Sequence, residues 1–182
     1  VCENIHLGKE KLWKMLLEFP SLQFGVEMAF LSLESETSFL LFPSDFTTGK
    51  KNIPINGLVW MGEPAFMKSQ IEEKLAEGFH CIKLKIGAID FEKEIGLLRL
   101  IRENYDDSTI EIRVDANGGF TSSEALFKLN QLSEFKIHSI EQPIQKNQHD
   151  SMSELCKNAP FPIALDEELI GVFDYAQKEA LL

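Results

Sequence analysis

Two lysines and three acidic residues stand at the ends of apolar segments, in a pattern suited to acid–base chemistry at a metal ion. Lys83 and Lys85 lie near the end of H-C-I-K-L-K-I. Asp115 ends I-E-I-R-V-D, Glu141 ends I-H-S-I-E and Asp166 ends P-I-A-L-D. Since sites of parallel α/β sheets are built at the carboxyl edge of the strands, we expect these side chains to meet. Buried charges must be paired or bound to metal, so the arrangement requires a chemical explanation.

The two lysines share one face of their strand, because side chains alternate with a period of two. Lys83 and Lys85 should therefore repel each other, and we expect each to lower the pKa of the other, an effect that partial burial increases. A lysine with a lowered pKa can act as a general base near neutral pH. The alternative is that both side chains extend from the strand into solvent.

The three acids, Asp115, Glu141 and Asp166, offer only oxygen ligands. Such ligands suit a hard cation, Mg²⁺ with Mn²⁺ as the alternative. Each acid alone could cap a helix or form a loop ion pair. Three in phase beside a pair of lysines favour one shared metal site.

Three polar residues lie next to these acids in the sequence and have less specific roles. Asn117 has the parity of Asp115 and could reach the same site, or it could serve the turn formed by the two glycines after it. Glu167 and Glu168 are interpreted as outer or surface acids, because Glu167 has the wrong parity for the face that bears Asp166.

The chemistry of such a site follows from its parts. A divalent cation at a substrate carboxylate stabilises the charge that develops when the α-proton leaves, and a flanking lysine takes that proton. Because such a proton is very weakly acidic, the metal supplies much of the reduction in the barrier. The expected partner is therefore a small-molecule carboxylate substrate.

The segments that position these residues alternate between strands and helices. Apolar strands are predicted at 55–61, 80–86, 110–115, 137–141 and 162–166. Amphipathic helices are predicted at 64–77, 91–104, 121–135, 151–158 and 173–182. Helix starts are indicated by Pro64, by Asp90 as a cap, and by the capping-box patterns T-S-S-E at 121–124 and S-M-S-E at 151–154.

A repeating strand–helix unit predicts right-handed crossovers and an α/β fold with a parallel sheet. The pattern fits either an open doubly wound sheet or part of a (β/α)8 barrel. The chain has no G-x-G-x-x-G and no P-loop, so the nucleotide-binding versions lose support.

The first part of the chain has a different pattern. Helical spacing is found at 9–19, where Pro20 stops it, and again at 21–35. The polar stretch 36–52, with Pro43 and Gly49, indicates a linker. We therefore expect a smaller N-terminal piece at 1–52 and the strand–helix domain at 53–182.

Composition excludes several classes of protein. The 182 residues include 29 acidic and 18 basic side chains, a net charge of −11, which disfavours a nucleic-acid binder or a protein of anionic membrane surfaces. No apolar run approaches the roughly 18 residues of a membrane span. The three cysteines form no metal-type pair, which favours reduced thiols and a cytoplasmic location.

Taken together, these motifs resemble the enolase superfamily, in its muconate-lactonizing-type subgroup, over about residues 21–175. S-L-Q-F-G-V-E-M-A-F-L-S-L at 21–33 is also similar to a helix of the capping domain of that family. The resemblance implies an α/β fold with the first five strand–helix units of a modified (β/α)8 barrel. It also implies that 1–52 is a remnant of an α+β capping domain.

The resemblance also implies roles for the residues. Lys85 corresponds to the acid/base on the second barrel strand, and Lys83 to a partner that lowers its pKa and contacts the substrate carboxylate. Asp115, Glu141 and Asp166 correspond to the Mg²⁺ ligands. Asn117, because it has the parity of Asp115, is expected to bind substrate.

Within this family, three segments most resemble a lyase of menaquinone biosynthesis. They are P-I-N-G-L-V-W-M-G, S-I-E-Q-P-I and I-A-L-D-E-E-L-I-G. The implied reaction is dehydration of 2-succinyl-6-hydroxy-2,4-cyclohexadiene-1-carboxylate. A dipeptide epimerase or N-acylamino-acid racemase, which shares the same lysine and metal residues, is the alternative.

One departure from the family pattern is large. The family has a second lysine on the sixth strand, and Lys178, which follows Asp166, falls in a predicted helix. The sequence is therefore interpreted as an internal fragment with little or no activity by itself. A non-catalytic module is a further alternative, as is a hydrolase with Asp115 or Asp166 as nucleophile, although it lacks a D-x-D-x-T pattern. The oligomeric state stays open.

Overall fold

The chain forms two compact units, Val1–Pro54 and Ile55–Leu182. The computed structural model describes residues 2–37, 40–172, 175–179 and 181. None of the helices in these ranges is long and apolar enough to cross a bilayer. The assignment of the first unit to a capping domain stays a prediction.

The first unit is a pair of helices followed by turns. It contains a 3-10 helix Cys2–Leu7, then α1 Lys9–Met15 and α2 Pro20–Glu34. The side-chain amide of Gln23 donates to the carbonyl of Trp13 over 2.9 Å and so ties the two helices together. Pro20 begins α2 instead of merely ending α1, because a first-turn residue needs no N–H partner.

The second unit alternates strands and helices as the sequence predicts. The strands are β1 Gly57–Val59, β2 Cys81–Lys85, β3 Glu111–Asp115, β4 Ser139–Glu141 and β5 Ile163–Ala164. The helices are α3 Pro64–Ala76, α4 Phe91–Asn104, α5 Ser122–Ser133, α6 His149–Asn158 and α7 Tyr175–Glu179, with a 3-10 turn at Glu167–Leu169. All neighbouring strands pair in parallel in the order β1-β2-β3-β4-β5, which confirms the predicted parallel α/β sheet.

The sheet has one apolar face and one polar face. The apolar residues of the strands are fully buried and contribute to a single core with the helices: Val59, Ile82, Leu84, Ile112, Val114 and Ile140. The helical part of that core includes Met67, Ile71, Leu98, Ile101, Leu129 and Leu132. The residues between them in each strand form the opposite face, which holds the candidate site.

Two of the three predicted helix caps are confirmed, and one is wrong. The Asp90 carboxylate accepts a hydrogen bond from the N–H of Glu92 over 3.1 Å, and the Glu124 carboxylate accepts one from the N–H of Thr121 over 3.1 Å. The predicted box S-M-S-E does not start its helix, because α6 begins two residues earlier, at His149. Its serines therefore lie inside the helix, where the N-cap role is no longer open to them.

Other predicted bounds differ at the ends of elements. Every strand is shorter than predicted: β3 and β4 begin later but end at Asp115 and Glu141 as predicted, whereas β1, β2 and β5 lose residues at both ends. α1 ends at Met15 instead of 19, and α7 covers Tyr175–Glu179 instead of 173–182. Within that predicted helix, residues 173, 174, 180 and 182 lie outside the described residues.

The loops that follow β2 and β3 approach each other backbone to backbone. A Cβ atom on Gly119 would lie 2.8 Å from the carbonyl oxygen of Gly87 and 2.9 Å from that of Ala116. Such contacts are too short for any side chain. Glycine therefore permits the loops after the two strands that bear Lys85 and Asp115 to pack directly on each other.

This contact predicts opposite effects for two glycine substitutions. We expect Gly119→Ala to lower the free energy of unfolding by about 1–3 kcal/mol, because backbone oxygens must move to admit the methyl group. Gly96→Ala is the matched control, because Gly96 lies inside α4 with no atom within 4 Å of the added carbon. There alanine should raise the free energy of unfolding by about 0.5–1 kcal/mol. Urea unfolding measures both, and equal effects at the two positions would contradict the packing described.

Candidate active site

A row of functional side chains crosses the polar face at the carboxyl edge of the sheet. Strand pairing sets Lys85 opposite Asp115 and Asp115 opposite Glu141. Glu141 in turn pairs with Ala164, so Asp166 lies two residues beyond the row, after the end of β5. The predicted convergence of lysines and acids is therefore present for β2, β3 and β4.

Asp115 lies at the centre of the row and is buried, with its side chain 1% exposed. Its Oδ2 atom lies 2.8 Å from Nζ of Lys85 and 3.2 Å from Nζ of Lys83. Lys83 also donates to Oε2 of Glu141 over 2.6 Å. The two lysines and two carboxylates thus form one continuous ion-pair network.

The network reverses one expectation from the sequence. Burial alone would lower the pKa of Lys83, but the hydrogen bond to Glu141 and the charge of Asp115 outweigh it and raise that pKa above its ordinary value. Mutual lowering by the two ammonium groups is therefore wrong for Lys83, since its carboxylate partners lie within hydrogen-bonding distance. Burial likewise opposes the charged form of Asp115, yet the hydrogen bond from Lys85 and the charge of Lys83 lower its pKa.

Asn117 links the lysine row to the end of β5. Its Oδ1 accepts a hydrogen bond from Lys85 over 2.8 Å, and its Nδ2 donates to Oε1 of Glu167 over 3.1 Å. The residue has a positive φ of 44° and lies two residues beyond Asp115, where the ladder of β3 ends. The structure therefore brings Asn117 into the site, and Glu167 with it.

The two acids after Asp166 are interpreted from the sequence as outer or surface residues. Glu167 contacts Asn117 and fits the first description, whereas Glu168 is buried and is not a surface residue. β5 ends at Ala164 and a 3-10 turn begins at Glu167, and this change of backbone turns Glu167 towards Asn117. Glu168 is 7% exposed and accepts hydrogen bonds from the N–H of Asn147 and from Gln142. Parity failed here because a helical turn does not keep the period of a strand.

Gln142 fastens the end of β5 to the end of β4. Its side chain is fully buried, and its Oε1 accepts hydrogen bonds from the N–H groups of Asp166 (3.1 Å) and Glu168 (3.3 Å). Its Nε2 donates to the carbonyl of Ile144 over 3.0 Å and to Oε2 of Glu168 over 3.4 Å. All four hydrogen-bonding positions of the amide are thus used. Its φ of 38° is unusual for a non-glycine residue and marks a constrained position.

Sequence reasoning missed two residues that support the site, Gln142 and Glu94. Glu94 is 1% exposed and its Oε1 accepts hydrogen bonds from the N–H groups of Gly87 and Ile89, just after the lysine strand. Burial raises the pKa of this carboxyl above its ordinary range. The sequence contains only weak indications of these roles. Gln142 directly follows the strand-end acid Glu141, and Glu94 is an acid on an otherwise apolar face of α4.

Cys81 lies on the same face as the lysines but is not an activated nucleophile. Its Sγ donates to Oε1 of Glu111 over 3.5 Å, and burial, followed by that hydrogen bond, raises the pKa of the thiol to about 11. The thiol therefore stays protonated near neutral pH. For Cys81, this agrees with the interpretation as a reduced thiol.

The oxygen donors of the row fit a hard cation by their chemistry, although they are not arranged as a complete ligand set. Asp115 and Glu141 converge on one positive group, the ammonium of Lys83, which shows that their oxygens face a common point. Asp166 is exposed, and its N–H rather than its carboxylate is bonded to Gln142. In the described part of the chain, no three His, Cys, Asp or Glu side chains are grouped to hold a metal ion.

A family model, "Enolase C-terminal domain-like", matches residues 67–178. The chain is 57% identical over 164 residues to an o-succinylbenzoate synthase of Desulfotalea psychrophila. The matched region covers 90% of this chain and 44% of that protein. It is 31% identical to a D-Ala-D/L-Ala epimerase of Cytophaga hutchinsonii, over 71% of this chain and 35% of the relative. The chain therefore spans less than half the length of these relatives.

Solved structures agree with the sequence matches. The crystal structure of MenC from Desulfotalea psychrophila superposes with a TM-score of 0.74 at 55% identity, over 84% of this chain and 42% of that one. A dipeptide epimerase from Cytophaga hutchinsonii, complexed with Mg and the dipeptide D-Ala-L-Val, superposes with a TM-score of 0.58 at 30% identity, over 64% and 31%. These matches confirm the predicted fold class, part of a (β/α)8-type barrel.

The hydrogen bonds of Gln142 generate a prediction for stability. Gln142→Met keeps the length of the side chain but leaves buried backbone N–H groups unpaired, so we expect the free energy of unfolding to fall by about 2–4 kcal/mol. Gln148→Met is the matched control, because the side-chain amide of Gln148 donates an exposed hydrogen bond to the carbonyl of Gln145. Its effect should stay within about 1 kcal/mol. Denaturant unfolding of both variants measures the difference. Similar losses in the free energy of unfolding would show that the buried hydrogen bonds of Gln142 stabilise the protein no more than the exposed one of Gln148.

Proposed function

The chain belongs to the enolase C-terminal domain-like family, and from that premise we propose that it contains the acid–base centre of an o-succinylbenzoate synthase. The supporting observation is the Lys85 side chain, which is 16% exposed and lies 2.8 Å from the buried Asp115 carboxylate. Active sites of (β/α)8 barrels lie at the carboxyl ends of the strands, so Lys85 is in a position suited to proton transfer. The proposed substrate is 2-succinyl-6-hydroxy-2,4-cyclohexadiene-1-carboxylate.

We assign the proton transfers to Nζ of Lys85. As a free amine, Nζ accepts the proton of the ring carbon that bears the carboxylate, and the C–H electron pair moves towards that carboxylate. The pair then returns to form the new ring double bond as the neighbouring C–O bond breaks. Lys85 gives its proton to the departing hydroxyl, so water leaves and the amine is restored. The product ring is aromatic, which makes the second step easier than the first.

Lys83 and Asn117 are proposed to position the reactants. Lys83 lies between Asp115 and Glu141, so its ammonium is placed to contact a substrate carboxylate at that end of the row. Asn117 accepts a hydrogen bond from Lys85 and so limits where its Nζ can lie. Holding a proton-transfer group at a fixed distance from a reacting carbon lowers the entropic part of the barrier.

The oxygen donors support Mg²⁺ as the proposed cofactor. Asp115, Glu141 and Asp166 are the residues that would hold it, and Mg²⁺ there would supply positive charge beside the substrate carboxylate as the α-proton leaves. Mn²⁺ accepts the same donors and is the alternative. A cation held by these acids would compete with Lys83 for the oxygens of Asp115 and Glu141.

A dipeptide epimerase is the second candidate, favoured by the 31% identity to the D-Ala-D/L-Ala epimerase. Both activities begin with removal of an α-proton by a lysine, so the lysine row alone does not separate them. The greater identity to the synthase, 57% over 90% of the chain, makes dehydration the leading proposal. The cytoplasmic location and the low activity of these residues alone stay predictions.

Replacement of Lys85 tests the proposal directly. In the intact protein, we expect Lys85→Gln to lower the rate of dehydration by about 10²–10⁴-fold, because the proton loses its acceptor. The ultraviolet change on aromatisation measures the reaction, and exchange of the α-proton in deuterated water measures the first step. Lys68→Gln is the control, because Lys68 lies 3.8 Å from Glu72 on the exposed side of α3 and should leave both rates unchanged.

The outcomes separate the candidates. Turnover of the cyclohexadiene carboxylate, lost in the Lys85 variant, supports the synthase. Exchange on a dipeptide without dehydration of the ring substrate supports the epimerase. A Lys85→Gln protein that dehydrates within about tenfold of the original rate would contradict the role of Lys85.

A further inference from the structure

The row of site residues continues one strand beyond Lys85. β1 pairs with β2 so that Leu58 is opposite Lys83 and Val59 is opposite Leu84. The next residue on each strand is Trp60 and Lys85, so Trp60 follows β1 at the level of Lys85 and has the parity of the polar face. Consistent with that register, Nζ of Lys85 lies 5.6 Å from the centre of a Trp60 ring.

Trp60 is held firmly at its backbone, although its side chain is exposed. Its N–H donates to Oε1 of Gln70 over 3.1 Å, and its carbonyl accepts from Nε2 of the same residue over 3.0 Å. This double hydrogen bond replaces the ladder where β1 ends. The residue is nevertheless 56% exposed, so a large apolar surface is left uncovered beside the proton-transfer lysine.

We infer that Trp60 is a substrate-contacting, specificity-determining residue whose indole packs on the ring of a cyclic carboxylate. The inference rests on the proposed function. In the proposed substrate, the carbon that loses its proton is a member of the ring. That carbon must come to within about 3–3.5 Å of Nζ of Lys85 for the proton to move. The ring must therefore lie beside Lys85, and ring centres about 4.5–7 Å apart are typical of aromatic packing.

The groups on either side of Lys85 give the substrate one orientation. The ammonium of Lys83, between Asp115 and Glu141, is the positive group for the substrate carboxylate, and Trp60 forms the apolar end on the other side of Lys85. A ring carboxylate satisfies both groups when its carboxylate points to Lys83 and its ring lies on the indole. A small acyclic dipeptide has no ring to place there. Trp60 thus favours the ring substrate over the epimerase substrate.

The test compares two ligands in the intact protein. We expect Trp60→Leu to weaken binding of o-succinylbenzoate about tenfold, measured by calorimetry, through loss of the ring contact. Binding of N-succinylalanine, a dicarboxylate without a ring, should change by less than about twofold. Trp60→Phe keeps a ring and should retain most of the affinity for o-succinylbenzoate. For dehydration, we expect Trp60→Leu mainly to raise KM.

Phe127→Leu is the matched control, because Phe127 is an exposed aromatic residue on α5, 65% exposed, away from the row. It should leave both affinities unchanged. If Trp60→Leu weakens the binding of neither ligand, or of both equally, Trp60 does not recognise the ring. The inference is then overturned while the synthase assignment stands. If the unsubstituted protein neither dehydrates the cyclohexadiene carboxylate nor binds o-succinylbenzoate, the proposed function fails first, and this inference fails with it.

Discussion

A carboxylate buried at the end of a central strand is the constraint on which the candidate site depends. Asp115 is 1% exposed, and an uncompensated charge at such a position would be strongly destabilising. Two ammonium groups compensate it, and both come from the neighbouring strand. This pairing requires β2 and β3 to keep their register, because a shift by one residue would present Ile82 and Leu84 to the acid instead of the lysines.

Side chains bind the backbone of the loops that follow the strands. Beyond the last ladder residue, backbone groups lose their strand partners and need others. Gln70 supplies them after β1, Glu94 after β2 and Gln142 after β4 and β5. Asn117 and Gln142 have positive φ, which places two constrained residues directly beside the acids of the row. Constrained backbone at this edge is consistent with a site whose side chains must be held in place.

The two faces of the sheet divide stability from chemistry. The face covered by helices is apolar and fully buried, and it supplies the hydrophobic contribution to folding. The opposite face bears Trp60, the lysines, the acids and Asn117. The charges of the lysines and acids stabilise one another but would be costly to bury without partners. Family membership and the match to MenC place this polar face in part of a (β/α)8-type barrel, where inward-facing strand residues are the usual source of catalytic groups.

Local patterns in the sequence were sufficient for the order of strands and helices, the parallel sheet, and the meeting of Lys85, Asp115 and Glu141, because a period of two and a repeating strand–helix unit are local properties. They failed where the pattern ends. The roles of Glu167, Glu168 and Gln142 depend on a turn and on hydrogen bonds between loops that are distant in sequence, as between Gln142 and Asp166. The direction of the pKa shift of Lys83 also needed the fold, because it depends on two carboxylates 32 and 58 residues away along the chain. Residue types and spacing determined which groups could do chemistry. Only the tertiary structure decided which of them are close enough to shift one another's pKa.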